Sequence, residues 1–542
     1  MTPRWQARYR RLVAEFGEAE DLTISTPVAV RDISFASPVT AGDLAASPIE
    51  ELVSFLATWE PAGQFLGPSQ FSLASALGTA IQQDAPRRSA EAEAFIGLPP
   101  VYIAAVISAL WQAARGRAAL DWAPVLRLCA WADQQATAEL GALPAGVRPQ
   151  WRDTRLNSLR LLVSGLGAAS NPIPGTHRAE TWVLIENATR DPDPMPDDEA
   201  NASTSGQSPG DLALNHVRPQ ALTAAIGYAW WCRNHDPGAN LGDVFAILDR
   251  HLDPSQEPSR AVRWVYGASF PQLAALDYAW ASGKAPVIFP SAEDKRPLWE
   301  AAWDAYLTHA GVCEILDSSY QFAVDLLDPA ASERRALARA VGLGRHLVAR
   351  YWAGQITLDS HAQLLRRFYQ NAPLSVRSEM MRYIGRSLQA ENDLDPAVAE
   401  RLTQLWEARL QAVCGGSNPA ELREFGEWFA AAKLGDEWEL HQLLTALSAA
   451  RGIEAEHVVL PRLAALSSAH TATCLAILDQ WVRTRPNSFR LQQGETSIRT
   501  ILKAALDSGD PAAAETVTAI VSLCIAGGFD LRDVLNAHPQ LG

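Results

Sequence analysis

The sequence predicts an all-α fold, an irregular HEAT- or TPR-like superhelical solenoid built of helical hairpins. Three observations carry that expectation. Alternating β-branched runs are almost confined to LTISTPVAVRDISF near the start and APVIF at 285–289. Apolar residues elsewhere recur at three and four positions, which puts them on one face of a helix. Cap residues and glycines punctuate these stripes at regular intervals.

The stripes are explicit toward the end of the chain. Leu440, Leu443, Leu444 and Leu447 form one, Ile498, Ile501, Leu502 and Leu506 a second, and Val517, Ile520, Val521 and Cys524 a third. Asp510 followed by Pro511 opens the last, because a cap side chain satisfies free amides and proline fits the first turn. Ser497 is placed at the start of the second, and Gly509 and Gly527-Gly528 close helices. From 395 onward the segments pair as 395–412 with 419–430, 436–449 with 454–466, and 468–481 with 495–508, with 510–526 last. That is a period of about 40 residues, the size of a helical-hairpin repeat.

The chain divides into an N-terminal helix and capping segment (1–47), an N-terminal helical region (48–189), an acidic Pro-rich loop (190–211), a central helical region (212–394) and C-terminal helical-hairpin repeats (395–542). The stretch NATRDPDPMPDDEANASTSGQSPGD at 187–211 holds four prolines and an acidic cluster. With little apolar area to offset ordering entropy, 190–210 is expected to be a mobile surface loop. Pro297 is expected to start a helix.

Composition narrows the function. At 542 residues with 48% hydrophobic and 20% charged, the chain is a folded protein large enough for several domain-equivalents. A net charge of −15 disfavours general nucleic-acid binding, which needs clustered basic residues. Arg115 and Arg117, Arg334 to Arg350, and Arg366-Arg367 read as solvated faces. The six cysteines are far apart, without a C-x-x-C pair, and read as buried free thiols of a reducing, cytoplasmic protein. No signal peptide or apolar run near 18 residues points to a membrane.

No catalytic residue, metal site or cofactor is assigned. Gly206 to Gly210 spells G-x-S-x-G around Ser208, but a polar loop precedes the serine where a nucleophile elbow needs a strand. Asp191, Asp193, Asp197, Asp198 and Glu199 read as a charge-repelling linker, lacking the turn glycine of a calcium loop. His309 and Cys313, four apart, would share a helix face but lack further ligands. The 18 tryptophans, many beside acids as in Trp299-Glu300 and Trp303-Asp304, read as packing wedges. Gathered into one cleft, such pairs would instead suggest a carbohydrate-active helical toroid. The helix expected over 213–231, capped by Asp211, carries Asn215 and Arg218. A cation at a helix start asks for an anionic partner, and the adjoining acids Asp191, Asp193 and Asp197 make Arg218 a structural clamp or a ligand-binding residue.

The run DPDPMPDDE, followed by DLALNHVRPQALTAAIGYAWW, resembles a segment of very large bacterial ATP-binding proteins of the conflict and antiphage type. Their helix reads approximately D-x-x-x-L-A-x-N-x-V-R-G-x-A-L, matched here by Leu212, Ala213, Asn215, Val217, Arg218, Ala221 and Leu222. WEPAGQFLGPSQFSLASALGTAI at 59–81 and the tail LQQGETSIRTILKAALDSGDPAAAETVTAIVSLCIAGGFDLRDVL are similar to two further segments of that family. Ser208 stands in place of the pattern's aspartate, Ser72 and Pro219 in place of glycines, and the nucleotide-binding half has no counterpart. The resemblance implies a sensor, regulatory or assembly module in bacterial defence, with a protein partner and a separate or missing ATPase or effector module. The alternatives are the carbohydrate-active toroid and a nucleic-acid-binding helical repeat with a continuous Lys/Arg face.

Helix is expected to exceed about 60% of residues, against the usual third. A circular-dichroism spectrum dominated by strand signal would contradict this expectation.

Overall fold

The computed structural model describes residues 37–61, 67–144, 147–484 and 494–536, with a few positions among the first fourteen. Among the described residues the fold is all-helical, 75% helix in 28 α-helices, with no strand. The run LTISTPVAVRDISF lies outside the described residues. APVIF is not a strand: it closes the helix Tyr278–Ile288, where Ala281, Ala285 and Ile288 are buried on one helical face. Local β propensity is overridden there by packing. Pro297 lies in the first turn of the helix Arg296–His309, as its fixed φ favours.

The chain forms two compact units, one of Met1–Asp191 with Trp231–Gly238 and one of Pro192–Trp230 with Ala239–Gly542. In the first, the helices Gln70–Gln83, Pro100–Arg115 and Arg152–Gly167 pack in succession. Ser69 and Ser72 form a capping box at the start of Gln70–Gln83, and Leu73, Leu77, Ile81, Ile103, Val106 and Leu110 are fully buried. Arg88 is fully buried as well. Its Nη2 donates to the carbonyls of Leu44, Ala45 and Ser47 at 3.1, 2.9 and 3.0 Å. A cation thus satisfies the free carbonyls ending the helix Ala41–Ala46, where the dipole favours it.

In the second unit, Arg260–Ala268 packs on Arg296–His309, which packs on Arg334–Trp352, which packs on Leu374–Ala390. Beyond that, helices touch their next-but-one neighbours. Leu374–Ala390, Phe425–Ala431, Glu456–Leu466 and Glu495–Asp507 form one succession. The 3-10 helix Pro419–Glu424, then Asp436–Ala450, Thr471–Thr484 and Pro511–Ala526, form the other. The stripes explain the alternation. Leu440, Leu443 and Leu447, Ile498 to Leu502, and Val517 to Cys524 supply the buried positions. Asp510 caps Pro511–Ala526 by accepting from the Ala512 amide at 3.0 Å. Ser497 lies inside the first turn rather than at its start, the helix opening at Glu495.

Aromatic packing fills the wider gaps. Trp299 stacks on Trp303 at 5.8 Å, and Trp303 meets Phe289, Tyr306 and Tyr320 edge-on or tilted. Trp406, Trp428 and Trp481 are also fully buried. These tryptophans are core wedges, unavailable to stack on a sugar. The cysteines are free thiols; Cys129, Cys232, Cys474 and Cys524 are buried.

A directed hydrogen-bond chain crosses this aromatic core. The Cys313 amide donates to the Tyr306 hydroxyl at 2.8 Å, and the Tyr306 and Tyr320 hydroxyls are 2.9 Å apart. The Tyr320 hydroxyl donates to His346 Nδ1 at 2.7 Å, while the imidazole also bonds the Leu307 carbonyl. Burial, reinforced by the Arg350 charge, lowers His346 to about 4 against the opposing pull of the Leu307 bond. The imidazole is therefore neutral in the fold and titrates near 6.5 when unfolded.

A depressed histidine lends stability that is complete above about pH 6.5 and lost as pH falls toward 4, about 3 kcal/mol over that window. Urea unfolding of His346→Gln should show a flatter pH dependence than wild type between 6.5 and 4. Tyr320→Phe should cost about 1–3 kcal/mol at pH 7 by stranding the buried Nδ1 acceptor. Identical pH profiles for wild type and His346→Gln would refute the account of this chain.

Candidate functional site

The segment 190–211 is largely helical where its composition suggests a loop. Pro196–Ser205 and Pro209–Asn215 are helices, each opening on a proline. Ordering entropy is offset by charge-assisted hydrogen bonds instead of apolar burial. Asp191 is 5% exposed and accepts from Arg155 Nη1 at 2.9 Å, within the first unit. Arg155 also donates from Nε to Asp133 at 2.9 Å. In the second unit, Asp193 is 3% exposed and accepts from His216 at 2.7 Å and from the Val217 amide at 2.8 Å. Glu199 caps the helix Arg260–Ala268, accepting from the Ser259 hydroxyl at 2.5 Å and the Arg260 and Ala261 amides at 3.1 Å.

The expected helix 213–231 is two helices, Pro209–Asn215 and Val217–His235, broken at an extended His216. Asp193 is the reason, since its carboxylate takes the Val217 amide that a continuous helix would direct inward. Ser208 caps the first helix in a capping box with Asp211, its hydroxyl 2.7 Å from Asp211 Oδ2. The G-x-S-x-G string is therefore a helix start. Asn215 is exposed, its amide donating to the Asp211 carbonyl at 2.8 Å. Asp197 is exposed in the first turn of Pro196–Ser205.

Arg218 has an anionic partner in Glu257, which lies outside the acidic segment. Nε donates to Oε2 at 2.6 Å and Nη2 to Oε1 at 3.2 Å, with a further bond to the Pro194 carbonyl at 3.3 Å. His251 Nδ1 lies 2.9 Å from Glu257 Oε2. Burial pushes Glu257 upward, but His251 and Arg218 together hold it below the usual carboxylate range. The carboxylate 39 residues away carried no local sequence signal.

One atom each of Asp193, Asp198 and His216 lie within 4.8 Å of one another. The Asp193–His216 hydrogen bond, and the Met195 amide donating to Asp198 at 2.9 Å, make this a hydrogen-bonded node. His309 and Cys313 share no helix face, because Arg296–His309 ends at His309 and Cys313 follows in a loop.

The second unit contains a cleft of about 370 Å³ walled by Pro209–Asn215, Arg260–Ala268, Arg296–His309 and Arg334–Trp352. Its charges alternate. Arg339 bridges Glu300 at 3.0 Å and Asp304 at 2.5 and 3.0 Å. Burial pushes the Asp304 carboxyl up more than Arg339 draws it down. Arg335 is exposed and donates to the Gly206 and Gln207 carbonyls at 3.0 and 3.2 Å, and Arg260 lies 3.5 Å from Glu199. Trp264 lines the cleft, with His309 edge-on to it at 4.9 Å. A Cβ at Gly210 would approach the Trp264 indole nitrogen to 3.0 Å, so glycine admits the ring. Leu214, 54% exposed, also lines the cleft.

The basic stretches are partly neutralised by ion pairs. Arg350 pairs with Asp317 at 2.7 Å, Arg366 with Asp359 at 2.9 Å, and Arg367 with Asp325. No helix among the described residues is long and apolar enough to cross a membrane. No protein-family model, curated protein or solved structure matches the chain.

Removing one partner of a buried ion pair strands the other, so Arg218→Ala should destabilise the protein by about 3 kcal/mol. The contribution of Glu257, whose folded titration is depressed, is present above its ordinary range near 4.3 and lost as pH falls below it. Chemical denaturation of Arg218→Ala at pH 7 within 0.5 kcal/mol of wild type, a value typical of neutral surface changes, would show that the pair is not structural.

Proposed function

We propose that the chain is a non-catalytic scaffold of irregular HEAT- or TPR-like helical hairpins that recognises a protein partner. The alternating contacts between next-but-one helices from Leu374 to Ala526 carry this reading. Stacked hairpins of that kind bury a continuous core and leave long faces for a partner. The partner's contact is the cleft of the second unit. Trp264 and Leu214 offer apolar area there, and Arg260 and Arg335 offer guanidinium donors beside the Arg339-bridged acids. A polypeptide with an apolar anchor flanked by charges complements such a wall. The resemblance of the 212–222 segment to antiphage-type ATP-binding proteins supports a role in a cytoplasmic bacterial defence or regulatory assembly, beside a separate ATPase or effector module.

The test is affinity capture from source cells with wild type and with the double variant Trp264→Ala/Arg335→Glu, each checked by thermal melting. A defined set of proteins retained by wild type and lost by a variant that melts like wild type is expected. Identical capture by both would overturn the cleft as the recognition surface.

A further inference from the structure

A separate cavity of about 340 Å³ lies among the helices Leu364–Asn371, Leu374–Ala390 and Pro396–Cys414 of the second unit. Each helix contributes one arginine, Arg366, Arg377 and Arg409, and no carboxylate among the described residues lines the cavity. In a chain of net charge −15, this local balance runs against the field of the whole molecule.

The counter-charges stand behind the wall and are too few. Arg366 Nη2 meets Asp359 at 2.9 Å at the exposed edge. Arg409 donates from Nε and Nη2 to the same oxygen of Glu421, Oε1, at 3.0 and 2.5 Å. Arg377 Nε lies 3.5 Å from the other oxygen without making a hydrogen bond to it. One fully buried carboxylate therefore serves two guanidinium groups, leaving a surplus positive charge beside a side chain only 5% exposed. Such a charge is costly in a dry site unless an anion joins it. Arg409 Cζ lies over the Tyr369 ring, 4.7 Å from its centroid, a cation–π contact that helps to hold the guanidinium in place. Its Nη1 makes no hydrogen bond among the described residues and belongs to a group lining the cavity. Gln370 and Ser417 add a neutral amide and a hydroxyl to the wall.

We infer that this cavity binds a phosphate monoester, its dianion received by Arg409 and Arg377 with Arg366 at the edge. Three planar forks present more donors than the two oxygens of a carboxylate accept, and a monoester offers three oxygens with a charge near −2. The inference is independent of the protein-recognition cleft, which lies among other helices.

Titration calorimetry of the full chain with inorganic phosphate, a phosphoserine hexapeptide and the same peptide unphosphorylated tests it. Wild type should bind at least one phosphate probe and not the unphosphorylated peptide. Ser417→Asp, which sets a carboxylate in the wall, and Arg366→Gln, at the exposed edge, should each weaken binding by about tenfold or more, equivalent to 1.4 kcal/mol. Preference for the phosphopeptide would assign a phosphorylated polypeptide, and equal binding a small phosphate ester. Failure of both phosphate probes to bind wild type, or unchanged affinity in Arg366→Gln, would overturn the site.

Discussion

The close approach of Arg260–Ala268 to Arg296–His309 governs the second unit's cleft. Both helices form its walls, and Gly267 is where they meet. A Cβ at that position would lie 2.0 Å from the Ala302 carbonyl oxygen, a backbone atom that no rotamer change can move. The helix contact therefore depends on glycine for space, not for backbone freedom. The consequences run outward. Arg260 and Trp264 face the cleft from one helix, Glu300, Asp304 and His309 from the other. Arg339 then ties the second helix to Arg334–Trp352 through two carboxylates.

Polar nodes hold the parts that hydrophobic stripes cannot. Arg88 closes the end of one helix, Arg155 gathers Asp133 and Asp191, and Glu199 caps Arg260–Ala268 from 60 residues away. Each is a buried or half-buried charge whose partners are fixed. Loss of one partner costs more than the intact pair contributes, so such nodes specify geometry more than they add net stability. The Pro/Asp-rich segment is ordered by this means.

The helical class was legible in the sequence because three-four stripes and their caps are local. Asp510-Pro511 and the Val517 to Cys524 stripe show it, as does Pro297 in its first turn. APVIF misled because short β-branched runs do not distinguish strand from buried helix. The order of 190–211 was hidden for another reason. Composition counts prolines and acids, while the partners that order them, Arg155, His216 and Ser259, lie up to 60 residues away. Arg218 at a helix start signals the need for an anion, but its partner Glu257 sits in an unremarkable loop. The cleft was visible only in fragments: Ser208, Asp211, His309 and the basic stretch from Arg334 had no common signal until the helices assembled them.

The dependence of the cleft on a close helix contact can be measured directly. Thermal unfolding of Gly267→Ala, followed by circular dichroism, forces a methyl group onto the Ala302 backbone. Overpacking of this kind costs about 3 kcal/mol, and the account predicts a melting midpoint lower by about 3 °C. A midpoint unchanged from wild type would contradict the contact, and with it the placement of Trp264 opposite Asp304 in one cleft.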